Sequence, residues 1–78
     1  MDNEVVSSFP KNEREEVRFS VREYKNQLYF DVRTFFQSEG GEWLPTKKGV
    51  TFSTGFYGDF RKGVEELGKH LSVSEEAA

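Results

Sequence analysis

The sequence predicts an α+β fold, a four-stranded antiparallel meander followed by one C-terminal helix (ββββα). Three observations point to it. Two segments, 17–22 and 28–33, alternate apolar and polar residues at period two. A short polar stretch separates them at hairpin distance. Near the C-terminus, Tyr57, Phe60, Val64, Leu67 and Leu71 recur at spacings of 3, 4, 3 and 4, which is one face of a helix.

Residues 1–14 are polar and rich in small side chains, and they read as a disordered or loosely docked tail. The folded domain is expected over 15–71. In its first strand Val17, Phe19 and Val21 alternate with Arg18, Ser20 and Arg22; in the second Leu28, Phe30 and Val32 alternate with Tyr29, Asp31 and Arg33. With Lys25-Asn26 as a two-residue turn, Val21 faces Phe30 and Phe19 faces Val32 on one side. Arg22 then faces Tyr29, Ser20 faces Asp31, and Arg18 faces Arg33 on the other. Residues 37–42, containing Gly40-Gly41, form a turn or loop. Trp43-Leu44 begins a short third strand, with Pro45 placing it at an edge or ending it. Lys47-Lys48-Gly49 reads as a second turn, and Val50 to Ser53 as the fourth strand. Ser53 or Thr54 is the expected helix N-cap. Residues 72–78 form an acidic C-terminal tail.

A folded part this short buries little core by itself. The chain has no cysteine, so no disulfide supports it. What remains is an aromatic core, since aromatics make up 15% of the residues, and a second copy of the chain. The narrow apolar stripe resembles a helix–helix seam. A two-fold homodimer through Tyr57, Phe60, Val64, Leu67 and Leu71 is therefore expected; the competing arrangement is a monomer whose helix lies on its own sheet.

Composition excludes several function classes. With no cysteine and one histidine, neither a zinc site of the usual kind nor a histidine cluster can form, and no metal or other cofactor is expected. No apolar run approaches the roughly 20 residues of a membrane helix. The N-terminus carries no secretory-signal pattern, so an intracellular protein without membrane association is expected. Catalysis is not expected either. There is no cysteine nucleophile, no nucleophile elbow and no glycine-rich phosphate loop. Glu15-Glu16 and Glu65-Glu66 are adjacent pairs with no apolar pocket to raise a pKa.

The net charge of −3 is unevenly spread: residues 17–53 carry six basic against four acidic side chains. On the polar face of the hairpin Arg18 lies opposite Arg33, and directly opposed like charges are unfavourable. Asp31 beside Arg33 is expected to relieve part of that repulsion, and a bound polyanion would relieve it more fully, with the guanidinium groups acting as forks for phosphate. Arg22 opposes the flat ring of Tyr29, and Tyr24 and Lys25 sit at the hairpin tip. Lys47 and Lys48 mark the other turn, with Phe36 and Trp43 near turns. Cations interleaved with aromatic faces suit an unpaired nucleic-acid strand, whose phosphates meet the charges and whose bases stack on the rings. A solvated strand face, and rings turned into the core, are the plainer readings of the same residues. Arg18, Arg22, Tyr24, Lys25, Arg33, Phe36, Trp43, Lys47 and Lys48 are the candidate DNA-binding residues.

Three motifs in order add a family resemblance. Phe19-Ser20-Val21-Arg22-Glu23-Tyr24-Lys25, Leu28-Tyr29-Phe30-Asp31-Val32-Arg33 and Pro45-Thr46-Lys47-Lys48-Gly49-Val50-Thr51 resemble the C-terminal domain of the transcriptional positive cofactor four family over roughly 16–71. The resemblance implies a ββββα subunit that dimerises through its helices and binds single-stranded or melted DNA with little sequence preference. It implies strand contacts at Arg22, Tyr24, Lys25, Arg33, Lys47 and Lys48, with Phe36 standing where the family often has a stacking tryptophan. Asn26 replaces a usual glycine, Gln27 a frequent lysine, and the 37–42 loop is about one residue longer. The long serine-rich region of eukaryotic coactivators is lacking, which favours a small bacterial or phage member.

The expected function is therefore a homodimeric single-stranded DNA-binding protein in transcription regulation or coactivation, replication or repair. RNA is the alternative polymer, and the transcription machinery a further partner. The expected location is cytoplasm or nucleoid in a bacterium and nucleus in a eukaryote. The alternative is a protein-interaction module that does not touch nucleic acid directly.

Overall fold

The computed structural model describes residues 3–71. Its elements are β1 (Asn3–Pro10), β2 (Glu15–Tyr24), β3 (Gln27–Gln37), β4 (Trp43–Ser53), a 3₁₀ turn (Thr54–Phe56) and α1 (Tyr57–His70). The four strands form one antiparallel sheet in the order β1-β2-β3-β4. The ββββα architecture is as expected; two of the strands are not the expected ones.

The central hairpin follows the alternation. Val21 pairs with Phe30, Phe19 with Val32, Arg22 with Tyr29, Ser20 with Asp31 and Arg18 with Arg33. Lys25 and Asn26 both have positive φ, 52° and 64°, as a two-residue turn matched to the strand twist requires.

The first difference lies at the N-terminus. Residues 3–10 belong to the stretch expected as a tail, yet they form β1 and pair with β2 from Asn3↔Arg22 to Pro10↔Glu16. The pairing shifts between Val5 and Ser7, so an irregularity at Val6 interrupts the alternation that would have marked a strand. Asn12 holds the turn into β2: its Oδ1 accepts from the Arg14 amide at 2.9 Å, and its Nδ2 donates to Glu15 at 2.8 Å. The expected C-terminal tail, 72–78, lies outside the described residues.

The second difference lies at Lys47-Lys48-Gly49. No turn separates two short strands there; 43–53 is one continuous strand. Arg33 pairs with Gly49 and Phe35 with Pro45, so Thr34 alone opposes Thr46, Lys47 and Lys48. The three residues bulge out of the ladder. Pro45 is accommodated because β4 is an edge strand.

The helix differs at its start. Neither Ser53 nor Thr54 caps it: the 3₁₀ turn intervenes, Phe56 is at the N-cap position, and neither start has a side-chain cap bond. Asp59 in the first turn and Lys69 and His70 in the last suit the helix dipole.

Among the described residues no apolar side chain is buried; only Ser20, Asp31 and Thr34 are. The helix meets the sheet through its first turn. Phe30 is the hub, with ring centroids at 5.7 Å from Phe52, 5.8 Å from Tyr57 and 5.4 Å from Phe60. Such pairs contribute about 0.5–1.5 kcal/mol each beyond area burial. Further along, Val64, Leu67 and Leu71 remain 50%, 60% and 51% exposed. An open groove of about 710 Å³ runs between α1 and the sheet, lined by Val6, Phe19, Val21, Val32, Tyr57 and Val64 among others.

Gly49 is needed where β4 rejoins the ladder. A Cβ there would lie 2.7 Å from the Val32 carbonyl oxygen and 2.8 Å from Arg33 Cα, both backbone atoms. Gly49→Ala is expected to destabilise the fold by about 1–3 kcal/mol, as overpacked sites do. The check is a lower denaturation midpoint in urea with an unchanged m-value.

Candidate nucleic-acid interface

The alternation of β2 and β3 carries Arg18, Arg22, Tyr29, Asp31 and Arg33 to one face of the sheet, opposite the face that meets the helix. β4 adds Trp43 and Thr51 to it, paired with Gln37 and Asp31. Tyr24 and Lys25 stand at the hairpin tip, with Lys25 Nζ 5.4 Å from the Tyr24 ring centroid. Arg22, Tyr24, Tyr29 and Thr51 line a shallow cleft of about 260 Å³. Among the described residues, no carboxylate pairs with Arg22, Lys25, Lys47 or Lys48.

Arg18 and Arg33 are direct cross-strand partners, and each has its own carboxylate on the same strand. Arg18 Nε donates to Glu16, and Arg33 pairs with Asp31. The repulsion expected from sequence is therefore offset within the chain. Residues two apart on a strand share a face, so both pairs form between neighbours.

At the far end of this face Arg18 lies against two rings. Its guanidinium carbon is 4.4 Å from the Phe35 ring centroid and 5.8 Å from that of Trp43. Phe35 is not among the sequence candidates, although its odd number puts it in phase with Asp31 and Arg33. Phe36, which is a candidate, pairs with Glu15 and Leu44 in the phase of Phe30 and Val32. The structure thus brings Arg18, Arg22, Arg33 and Trp43 to one face, with Tyr24 and Lys25 at its tip and Lys47 and Lys48 at its β4 margin, and turns Phe36 to the other. No cluster of metal-ligating side chains occurs among the described residues.

Arg33 and Asp31 are tied together twice, Nε to Oδ2 at 3.1 Å and NH2 to Oδ1 at 2.8 Å. Thr51 Oγ1 donates to Asp31 Oδ1 and accepts from Arg33 NH2 at 3.2 Å. Burial pushes the Asp31 carboxyl up, but the hydrogen bonds from Arg33 and Thr51 and the charges of Arg33 and Arg22 outweigh it and hold the group below its ordinary value. The Asp31 hydrogen bond correspondingly raises Arg33.

Comparison with known proteins assigns the class. The Transcriptional Coactivator p15 (PC4) family matches residues 11–63, more than half of the chain, and the chain belongs to that family. It is a family of transcriptional coactivators, not of enzymes. Among relatives, the chain is 34% identical over 71 residues to the RNA polymerase II transcriptional coactivator KIWI of Arabidopsis thaliana; the match covers 91% of this chain but spans only 62% of that protein's length. It is similar to a bacteriophage T5 homolog of the eukaryotic transcription coactivator PC4 implicated in recombination-dependent DNA replication, with 28% identity and a TM-score of 0.67 over 96% of this chain and 83% of that one. A PC4 homolog from Burkholderia pseudomallei shares the fold, with a TM-score of 0.78 at 21% identity over 85% and 89% of the two chains.

The depressed Asp31 value has a consequence for stability. The unfolded chain takes up this proton first as pH falls, so the Asp31 contribution is present above about pH 4 and is lost as pH drops through the lower folded value. Urea denaturation between about pH 2 and 6 is expected to show that acid limb. Asp31→Asn should flatten it.

Proposed function

We propose that this protein is a homodimeric binder of single-stranded or melted DNA with little sequence preference, acting in transcription regulation or coactivation, replication or repair. The observation that carries the reading is the segregation of charge on the sheet. One face holds arginines and aromatic rings, with Arg22, Lys25, Lys47 and Lys48 exposed on it or at its margins and lacking carboxylate partners among the described residues. Cations at phosphate positions beside flat rings match a strand whose bases are unpaired. The phosphates would meet Arg18, Arg22, Lys25, Lys47 and Lys48, and bases would stack on Tyr24 at one end and on Trp43 with Phe35 at the other. The phage relative is implicated in recombination-dependent DNA replication and the plant relative is a transcriptional coactivator, and both support the same reading.

The dimer reading rests on the other face. Val64, Leu67 and Leu71 lie exposed along one stripe, and the groove beside them is apolar. A second helix laid across this surface would cover both and would give a chain with no buried apolar residue among those described the core it lacks.

Two experiments test these statements. A labelled single-stranded ~20-mer should bind with a log affinity that falls against log salt by about 0.7 for each phosphate neutralised. Replacing Lys48 with Gln should lower that slope, whereas Tyr24→Ala should cost about 1–3 kcal/mol and leave it unchanged. Equal or tighter binding to intact duplex of the same length counts against base stacking. For assembly, light scattering at micromolar concentration should report twice the 9.0 kDa chain mass. Leu67→Glu should dissociate and destabilise the protein; a well-folded 9.0 kDa wild-type particle would defeat the dimer.

A further inference from the structure

We infer that Arg33 is a positioning residue: together with Asp31 it clamps the β4 bulge and so aims Lys47 and Lys48, instead of binding phosphate itself. The inference rests on the reading of the arginine face as a DNA surface and assigns one of its residues a different task.

The donor count carries it. A guanidinium has five N–H donors. In Arg33, Nε and one NH2 hydrogen go to Asp31, the other NH2 hydrogen goes to Thr51 Oγ1, and NH1 donates to the Thr46 carbonyl at 2.9 Å. Among the described residues four donors are taken, and one is left. A phosphate fork needs two parallel donors. Arg18 differs, because among the described residues only its Nε is used.

The acceptor at Thr46 explains what the clamp does. In the bulge three β4 residues face one β3 residue, so the ladder cannot satisfy all their backbone groups. Side chains do so instead. Arg33 takes the Thr46 carbonyl, Thr46 Oγ1 donates to the Thr34 carbonyl at 2.7 Å, and the Lys48 amide donates to Thr46 Oγ1 at 3.1 Å. Arg33 is also the cross-strand partner of Gly49, immediately after the lysines, and a Cβ on Gly49 would lie 2.8 Å from Arg33 Cα and Cβ. The chain from Asp31 through Arg33 and Thr46 to Lys48 is continuous. Asp31 anchors it as a buried carboxylate, and the bulge carries two exposed cations at its other end.

The test is a double-mutant cycle on binding of an oligo-dT ~20-mer. Alone, Arg33→Gln should weaken binding about tenfold, and Arg33→Lys should do nearly the same, because an ammonium keeps the charge but lacks the fork. In a K47Q/K48Q background, Arg33→Gln should change affinity less than about twofold, since the groups it aims are gone. An equal loss in both backgrounds, with a further drop in salt slope of about 0.7, would overturn the inference, as would near-wild-type binding by Arg33→Lys. Thr46→Val, which removes only the bridging hydroxyl, should show the same non-additivity and serves if Arg33→Gln does not fold. A readout without DNA separates this inference from the function it rests on. Hydrogen exchange of the Lys48 amide should accelerate at least about tenfold in Arg33→Gln, measured against unaffected amides of β2. No acceleration there sinks the clamp even if the wild-type protein binds DNA; acceleration without any wild-type DNA binding sinks the functional reading and leaves the clamp standing.

Discussion

The register between β2 and β3 sets Phe19, Val21, Phe30 and Val32 on one side of the sheet and Arg18, Arg22, Tyr29, Asp31 and Arg33 on the other. A slip of one residue would send arginines under the helix and phenylalanines into water. The turn that holds this register places Lys25 and Asn26 in left-handed backbone, and the aromatic cluster around Phe30 makes any alternative pairing costly. Where α1 docks and which arginines lie together follow from that separation.

The two faces solve different physical problems. The apolar face has too little covering: one turn of helix over Phe30 and Phe52, then a stripe and groove open to solvent. A chain of this size gains little from its own core, and this open apolar surface is what the proposed second copy would cover. The polar face has too much like charge, and the chain answers by interleaving carboxylates two residues from the arginines. Glu16 serves Arg18 and Asp31 serves Arg33, leaving the exposed cations at the tip and margin of the face.

Membership of the PC4 family brings these halves into one frame, and the packing within each half can be traced to particular residues of this chain. Phe35 and Trp43 flank Arg18, a grouping reached because Trp43 enters β4 in the phase of Gln37 and Phe35. The β4 bulge lets two adjacent lysines stand out of a strand that would otherwise turn one of them to the opposite face.

From the sequence alone came the class of fold, the hairpin register down to its residue pairs, the apolar helix stripe and the basic, aromatic character of one face. These are legible because period-two and 3-4 patterns are local, and a two-residue turn determines register arithmetically. Tertiary pairing decided the rest. β1 is a strand because β2 offers it a free edge, and the irregularity at Val6 erased the alternation that would have announced it. Lys47-Lys48-Gly49 carries turn-like residues but is held in β4 by Arg33, Thr46 and Gly49 contacts reaching across to β3. Phe36 faces away from the arginines and Phe35 toward them, a matter of strand phase continued past the hairpin. Whether Arg33 is free to grip a ligand depends on donors spent on Asp31, Thr46 and Thr51, and the last two are brought within reach only when β4 folds against β3.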